Sequence, residues 1–364
     1  MSKSHYKIGL GVALALTAFT TASGVALADD AIKVTDQSDR QIVLEKPAKR
    51  VVTIPIPAAS MFMALDGSSN KLVGMHSKSK SALEEGVLKE IFPEAMDIRS
   101  DIVGEGFMPN VEELLSVNPD LVFQWAHLGG DVVKPIEDAG LKVVTFKYGT
   151  ETYARQWLDI MGTILGKKDK SDALIAWRQE KQDAIAKKVA EIPGLEKPRV
   201  AYFLRFLSSF SVAGKGTYND FYINLTGGQN VGQDLSGFKE VNIEQIIAWD
   251  PEVILLNGFE GELTVDDVYT NPMLAGVSAV KNKRVYKIPL GGYRWDPPNQ
   301  ESPLMWEWLS MVLHPDRFDW PLRKDIAEKY RFIYNYDLSE QQIDGILRMK
   351  MNGSAANYSQ FSGS

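Results

Sequence analysis

The sequence predicts an α/β protein of two similar lobes with mostly parallel sheets, joined by one long α-helix. Three observations predict it. Asn110, Glu112, Leu114, Leu115, Pro119, Asp120, Leu121 and Val122 return in the same order as Asn242, Glu244, Ile246, Ile247, Pro251, Glu252, Val253 and Ile254, at one constant spacing. Short apolar runs alternate with helical stretches in both halves. Between the halves, residues 169–192 contain neither Gly nor Pro. A repeat this widely spaced implies equivalent lobes, not a solenoid.

The first residues form their own unit. Lys3 and Lys7 precede an apolar stretch from Ile8 to Phe19 and small residues ending in Ala26-Leu27-Ala28. This is the pattern of a secretory leader cleaved after Ala28, leaving a mature chain that begins at Asp29. The apolar stretch is short for a membrane span, which takes about 20 residues. The chain contains no cysteine, which excludes disulfides, thiolate metal sites, thiol catalysis and a lipidated cysteine at the cleavage point. An exported, unlipidated protein stays with its cell only in an enclosed compartment, so the expected location is a Gram-negative periplasm. Loss of Lys3 and Lys7 moves the formal charge from -7 to -9. That charge opposes binding to nucleic acid or to an anionic membrane.

The first lobe is expected over residues 29–150. Val51 to Ile54 reads as a strand stopped by Pro55 and Pro57, Ala58 to Leu65 as a helix, and Leu72 to Met75 as a second strand. In the first copy of the repeat Asn110 caps a short helix, and the run Leu121 to Trp125 enters the sheet as a buried strand. Val132 to Ala139 reads as a helix and Val143 to Phe146 as the next strand. The linking segment is 151–193. Tyr153, Trp157, Ile160, Met161 and Ile164 share one helical stripe that ends at Gly166. The helix over Asp169 to Ile192 would be about 36 Å long, enough to cross between lobes before Pro193-Gly194 ends it.

The second lobe is expected over 194–353, with strands at Val200 to Leu204, Val253 to Leu256 and Val285 to Ile288. Its last part is helical and aromatic, with Ser339 and Gln342 as a capping box for the helix of Ile343 to Met349. The tail, 354–364, is polar and expected to be mobile.

The first strand ending in proline, the repeated N-x-E-x-[LI]-[LI]-x-x-x-P-[DE] phrase, the long link, and Thr226-Gly227-Gly228 before Asn230-Val231 together carry a resemblance over nearly the whole mature chain. The chain resembles the substrate-binding proteins of ABC importers for metal chelates, which carry ferric siderophores, cobalamin and haem. The resemblance implies two Rossmann-like lobes on a helical backbone, the class III arrangement. It also implies an ABC permease and its ATPase as partners, and surface glutamates that meet permease arginines. The matching positions are Glu112 and Glu244. The bland reading makes both solvated acids near a helix N-terminus, where an acid is favoured by about 0.3–1 kcal/mol.

A ligand is expected where loops follow the C-terminal ends of the strands. The candidates there are Trp125 and His127 on lobe one, and Arg205, Tyr218, Phe259, Tyr293, Arg294 and Trp295 on lobe two. They form an aromatic and cationic set in an acidic protein, which suits an anionic ligand with flat faces. Arg205 could instead pair with a neighbouring acid, and Tyr293-Arg294-Trp295 could be a packed corner. His76 is a candidate direct metal ligand or an ordinary hydrogen-bonding residue, and Lys78 and Lys80 read as solvated. No enzyme motif survives inspection: Ala213-Gly214-Lys215-Gly216-Thr217 lacks the leading glycine and the Ser/Thr of a phosphate loop. H-E-x-x-H and G-x-S-x-G are absent.

The expected function is capture of a metal chelate, foremost a ferric siderophore, by a monomer without a resident cofactor. An oxoanion such as molybdate or tungstate, a free divalent metal, haem and cobalamin are the alternatives within the class. A periplasmic enzyme acting on the chelate and a sensor that presents its ligand to a membrane receptor are the alternatives outside it.

Overall fold

The computed structural model describes residues 1–3 and 31–363. The apolar stretch of the expected leader and the cleavage point after Ala28 lie outside the described residues. No helix among the described residues is long and apolar enough to cross a membrane.

A hairpin of β1 (Ile32–Thr35) and β2 (Gln41–Leu44) opens the first lobe. The Asp36 carboxylate in its turn accepts from the Thr145 backbone and hydroxyl at 3.0 and 2.7 Å, which pins the hairpin to the sheet behind it. That sheet contains β3 (Val51–Thr53), β4 (Leu72–Met75), β5 (Leu121–Trp125) and β6 (Val143–Phe146), all parallel, in the order β4-β3-β5-β6. β3, β5 and β6 are buried along their full length, as near-continuous apolar runs require. After Pro55-Ile56-Pro57 the chain turns into the helix Ala58–Asp66, buried from Ala58 to Leu65 and closed by Gly67 in the left-handed region.

Both copies of the repeat fold alike. Asn110 caps Val111–Ser116 by accepting from Glu113 N–H, and Asn242 caps Ile243–Trp249 by accepting from Gln245 N–H. In each helix the first residue of the apolar pair, Leu114 or Ile246, is fully buried against its sheet.

The link consists of two helices, Glu151–Leu165 and Lys168–Ala190, separated at Gly166 with φ 66°. The second, of 23 residues, is about 34 Å long at ~1.5 Å per residue. It packs on the first helix and, in lobe two, on Tyr218–Leu225 and Ser302–Leu313. Gly162 lets the two helices cross closely, since a Cβ there would lie 2.2 Å from Ser171 Oγ.

Lobe two contains β7 (Arg199–Arg205), β8 (Phe210–Ala213), β9 (Gln229–Asn230), β10 (Phe238–Val241), β11 (Val253–Leu256) and β12 (Val285–Lys287). The order is β10-β8-β7-β11-β12, with β9 beside β7. β7, β9, β11 and β12 run parallel, while β8 is antiparallel to both its neighbours. The capping box of Ser339 and Gln342 forms, with its helix at Glu340–Ile346. The tail differs from the expectation of mobility: Tyr358 and Phe361 are buried, and Tyr358 hydroxyl donates to Leu347 O while accepting from Trp308 Nε1. Two aromatic anchors in a polar segment outweigh its average composition.

Candidate ligand-binding cleft

The C-terminal ends of β5, β6 and β7 face one another across a cavity of about 570 Å³ lined by both lobes. Lobe one supplies Pro57 after β3, Phe107, Trp125 at the end of β5, His127 and Tyr148. Lobe two supplies Tyr202 and Arg205 of β7, Phe238 of β10, Phe259 after β11, and Tyr293 with Asp296 from the loop after β12.

The rings form a connected band that crosses between lobes. Phe107 meets Trp125 edge-on at 6.0 Å, Trp125 meets His127 at 4.9 Å and Tyr148 at 6.4 Å. Tyr148 then faces Phe238 of the other lobe at 6.4 Å, and Phe238 faces Tyr202 at 6.5 Å. Tyr148 hydroxyl also donates to Asn219 Oδ1 at 3.4 Å, a second contact between lobes. Such rings offer broad apolar area at a small entropy cost, with faces that accept a flat or cationic partner.

Polar groups on the wall are incompletely satisfied. Among the described residues, Trp125 Nε1, Tyr293 hydroxyl and Asp296 Oδ1 are buried without a hydrogen-bond partner. Asp296 Oδ2, in contrast, accepts from Tyr202 hydroxyl at 2.8 Å and from Gly258 N–H at 3.0 Å. A buried polar atom left unpaired costs about 1–3 kcal/mol, so a ligand offering one acceptor and one or two donors would recover that cost. Burial pushes the Tyr148 and Tyr293 phenols up, so both carry their protons at neutral pH.

The charge balance corrects the sequence expectation of a cationic set. Lys78 and Arg205 line the cleft, but so do Glu260, Glu262 and Asp296. Glu260 is fixed there by Phe206 N–H at 2.9 Å and Asn257 Nδ2 at 2.8 Å. Arg205 lies over the Phe259 ring, with 5.9 Å to its centroid. A wall of both signs suits a large, partly charged ligand better than a small multivalent anion.

Of the residues singled out from the sequence, Trp125, His127, Arg205, Phe259 and Tyr293 meet at this cavity. Tyr218, Arg294 and Trp295 do not line it. Tyr218 is buried, donating to Glu151 Oε2 at 2.9 Å and accepting from Arg178 Nη2 at 3.0 Å. Trp295 is buried and donates to Glu301 Oε2 at 2.8 Å. Arg294 reaches into the other lobe, giving Nη1 to Lys78 O at 3.0 Å and Nη2 to Glu85 Oε1 at 3.1 Å. It braces the wall from behind.

His76 also lies off the cavity. Its Nδ1 accepts from Lys78 N–H at 3.0 Å and caps the helix Ser77–Glu85. Burial, reinforced by the Lys78 charge, pushes its imidazole down to about 4. Among the described residues no group of three or more His, Asp or Glu side chains is placed to hold a metal ion.

Sequence reasoning missed Phe107, Tyr148, Tyr202, Phe238 and Asp296. Two of these had a readable signal: Phe107 and Phe238 stand just before the repeated caps Asn110 and Asn242. Tyr148 follows the end of β6, as the strand-end rule requires. Tyr202 lies inside a strand, and only the register of β7 against β11 turns it to the cleft.

Glu112 and Glu244 are exposed, and among the described residues neither carboxylate has a side-chain partner. Their neighbours are engaged: Glu113 pairs with Arg99, and Glu252 with Arg199 at 3.2 Å.

Comparison with known proteins gives consistent relatives. Residues 59–290 match the family described as periplasmic binding protein. The structure is similar to a periplasmic solute binding protein from Veillonella parvula, at TM-score 0.80 and 33% identity, covering 89% of this chain and 99% of that one. In sequence it is similar to the molybdate-binding protein MolA of Haemophilus influenzae, 25% identical over 85% of this chain and 92% of that one. It is also similar to the Fe(3+)-citrate-binding protein YfmC of Bacillus subtilis, 26% identical over 72% of this chain and 80% of that one.

Proposed function

We propose, from the premise that this chain belongs to the periplasmic binding protein family, that it captures a metal chelate, foremost a ferric siderophore, and delivers it to an ABC importer. The bound molecule is cargo, not a cofactor. The reading rests chiefly on one observation: a continuous aromatic band joins the two lobes around a cavity of about 570 Å³. Pockets that enclose ligands of some tens of atoms span roughly 300–1,000 Å³. Trp125, His127, Phe259 and Tyr293 would contact the flat faces of a chelate, and Arg205 would bond its charged edge. Tyr218, Arg294 and Trp295 support the wall that presents those groups.

A second reading, an oxoanion such as molybdate, is favoured by the similarity to MolA. It is opposed by the three carboxylates on the same wall and by the span of the cavity. Haem and cobalamin fit the aromatic band as well; haem would draw on the Tyr293 phenol.

Export through the leader at residues 1–28 places the chain in the periplasm, where it works as a monomer. Glu112 and Glu244 would then meet basic residues of the permease, whose ATPase drives uptake. Replacing both with Ala should stop uptake and leave ligand binding intact.

Native mass spectrometry of protein taken from the periplasm, joined to tryptophan quenching with ferric citrate, ferric catecholates and hydroxamates, molybdate, haem and cobalamin, tests the cargo. Tight quenching by molybdate with none by chelates would overturn the siderophore reading. Recovery of an altered chelate after incubation would point to an enzyme instead.

A further inference from the structure

Resting on the permease-docking reading above, we propose that Leu115 and Ile247 are paired apolar anchors, each seating in a pocket of the membrane partner beside the arginine or lysine that meets Glu112 or Glu244. The two residues occupy the same place in the two copies of the repeat. In each copy the preceding apolar residue is fully buried, while Leu115 and Ile247 remain 49% and 43% exposed.

Each lies three residues after its exposed acid, so acid and apolar side chain share one face of a short capped helix. An isolated exposed leucine calls for no explanation. The same acid-and-apolar pair built twice, with neither acid paired internally among the described residues, is a surface shaped for one kind of partner.

The position of the two pairs agrees. Phe107 and Phe238 line the cleft, and within a few residues the chain reaches Asn110 and Asn242, which begin the two helices. Each helix therefore begins within four residues of a cleft-lining ring, one on each lobe. A partner seated on both pairs would sit close to the cleft from which cargo leaves.

The partner chemistry follows: two basic side chains, each next to an apolar depression, on a membrane protein with two similar halves. The patches are not identical. On lobe two, Met273 is 54% exposed in the turn Pro272–Leu274, which packs against the helix Ile243–Trp249. On lobe one the flank is polar, with Arg99 bridging Asp101 and Glu113. This difference gives each lobe a preferred half of the partner.

Acids and apolar anchors should contribute differently. Charges at the edge of an interface act mainly on the association rate and its salt dependence, while desolvated apolar anchors act mainly on dissociation. The test uses the full-length protein and its cognate permease–ATPase complex, reconstituted in nanodiscs. The double variant Leu115→Ser with Ile247→Ser should dissociate tenfold or more faster, with association and its salt dependence nearly unchanged. Its thermal stability and ligand quenching should match the parent, since both side chains are exposed.

Phe332→Ser, at an exposed apolar position on the helix Leu322–Tyr334 of lobe two, is the control and should dissociate as the parent does. Parental dissociation of the double variant would overturn the anchors. If the variant Glu112→Ala with Glu244→Ala slows association in the same experiment, the docking reading stands and the anchors alone fail. If neither variant differs from the parent, the docking reading falls with them.

Discussion

Glu151 and Arg178 meet edge to edge at the centre of the link, Nε to Oε1 at 2.7 Å and Nη2 to Oε2 at 2.6 Å, with the Arg178 side chain wholly shielded from solvent. Glu151 begins one linking helix and Arg178 lies in the middle of the other. Arg178 continues to Tyr218 hydroxyl and Asn299 O of lobe two. One ion pair thus ties both linking helices to the second lobe.

Breaking that pair from one side leaves a buried charge without its partner. Arg178→Leu or Glu151→Gln should lower unfolding free energy by about 3–5 kcal/mol, read by chemical denaturation. Replacing both with apolar residues should cost less than either alone. Equal losses for the double and single variants would show that the pair's charge is not what matters.

Arg294 joins the lobes differently, bonding Lys78 O and Glu85 from the far wall. Arg294→Ala should raise hydrogen exchange over residues 77–85 and widen the solution envelope seen by small-angle scattering. Arg294→Lys should only partly restore the parent, because an ammonium cannot reproduce the guanidinium fork.

In the cleft, Trp125→Ala and Phe238→Ala should each weaken cargo binding at least tenfold, about 1.4 kcal/mol, by isothermal titration. Arg205→Gln should matter for anionic chelates and little for neutral ones. Unchanged affinity in the two aromatic variants would remove the band from the binding surface.

His76 gives a pH signature. Its pKa is depressed to about 4 in the folded protein from an ordinary 6.5, because burial disfavours the charged imidazole. The unfolded chain therefore binds the proton first. Stability from this group is complete above pH 6.5 and declines as pH falls towards about 4. His76→Asn, which keeps a capping side chain, should flatten that part of the stability profile. The same slope in parent and variant would assign it to other groups.

The strands β3 to β6, β7, β11 and β12 were legible because buried parallel strands are continuous apolar runs bounded by turn residues. The β1–β2 hairpin and the β8–β10 pair were not, since four-residue strands with mixed polarity, such as Phe238-Lys-Glu-Val, owe their form to the neighbouring strand. In the cleft, aromatic residues at strand ends could be named from position alone. Whether a loop side chain faces in or out could not: Tyr293 and Arg294 are neighbours, yet one lines the cavity and the other braces it from behind.

The seam between the lobes is closed by main chain at two places. A Cβ at Gly86 would stand 2.5 Å from Gly291 O, and one at Gly149 would stand 2.8 Å from Gly216 O. With no side chain at either point, main chain of one lobe rests on main chain of the other, so a larger residue at either glycine would wedge the halves apart. Both contacts lie outside the cavity lining, so substitutions on the inner walls can alter which cargo is held and leave them untouched.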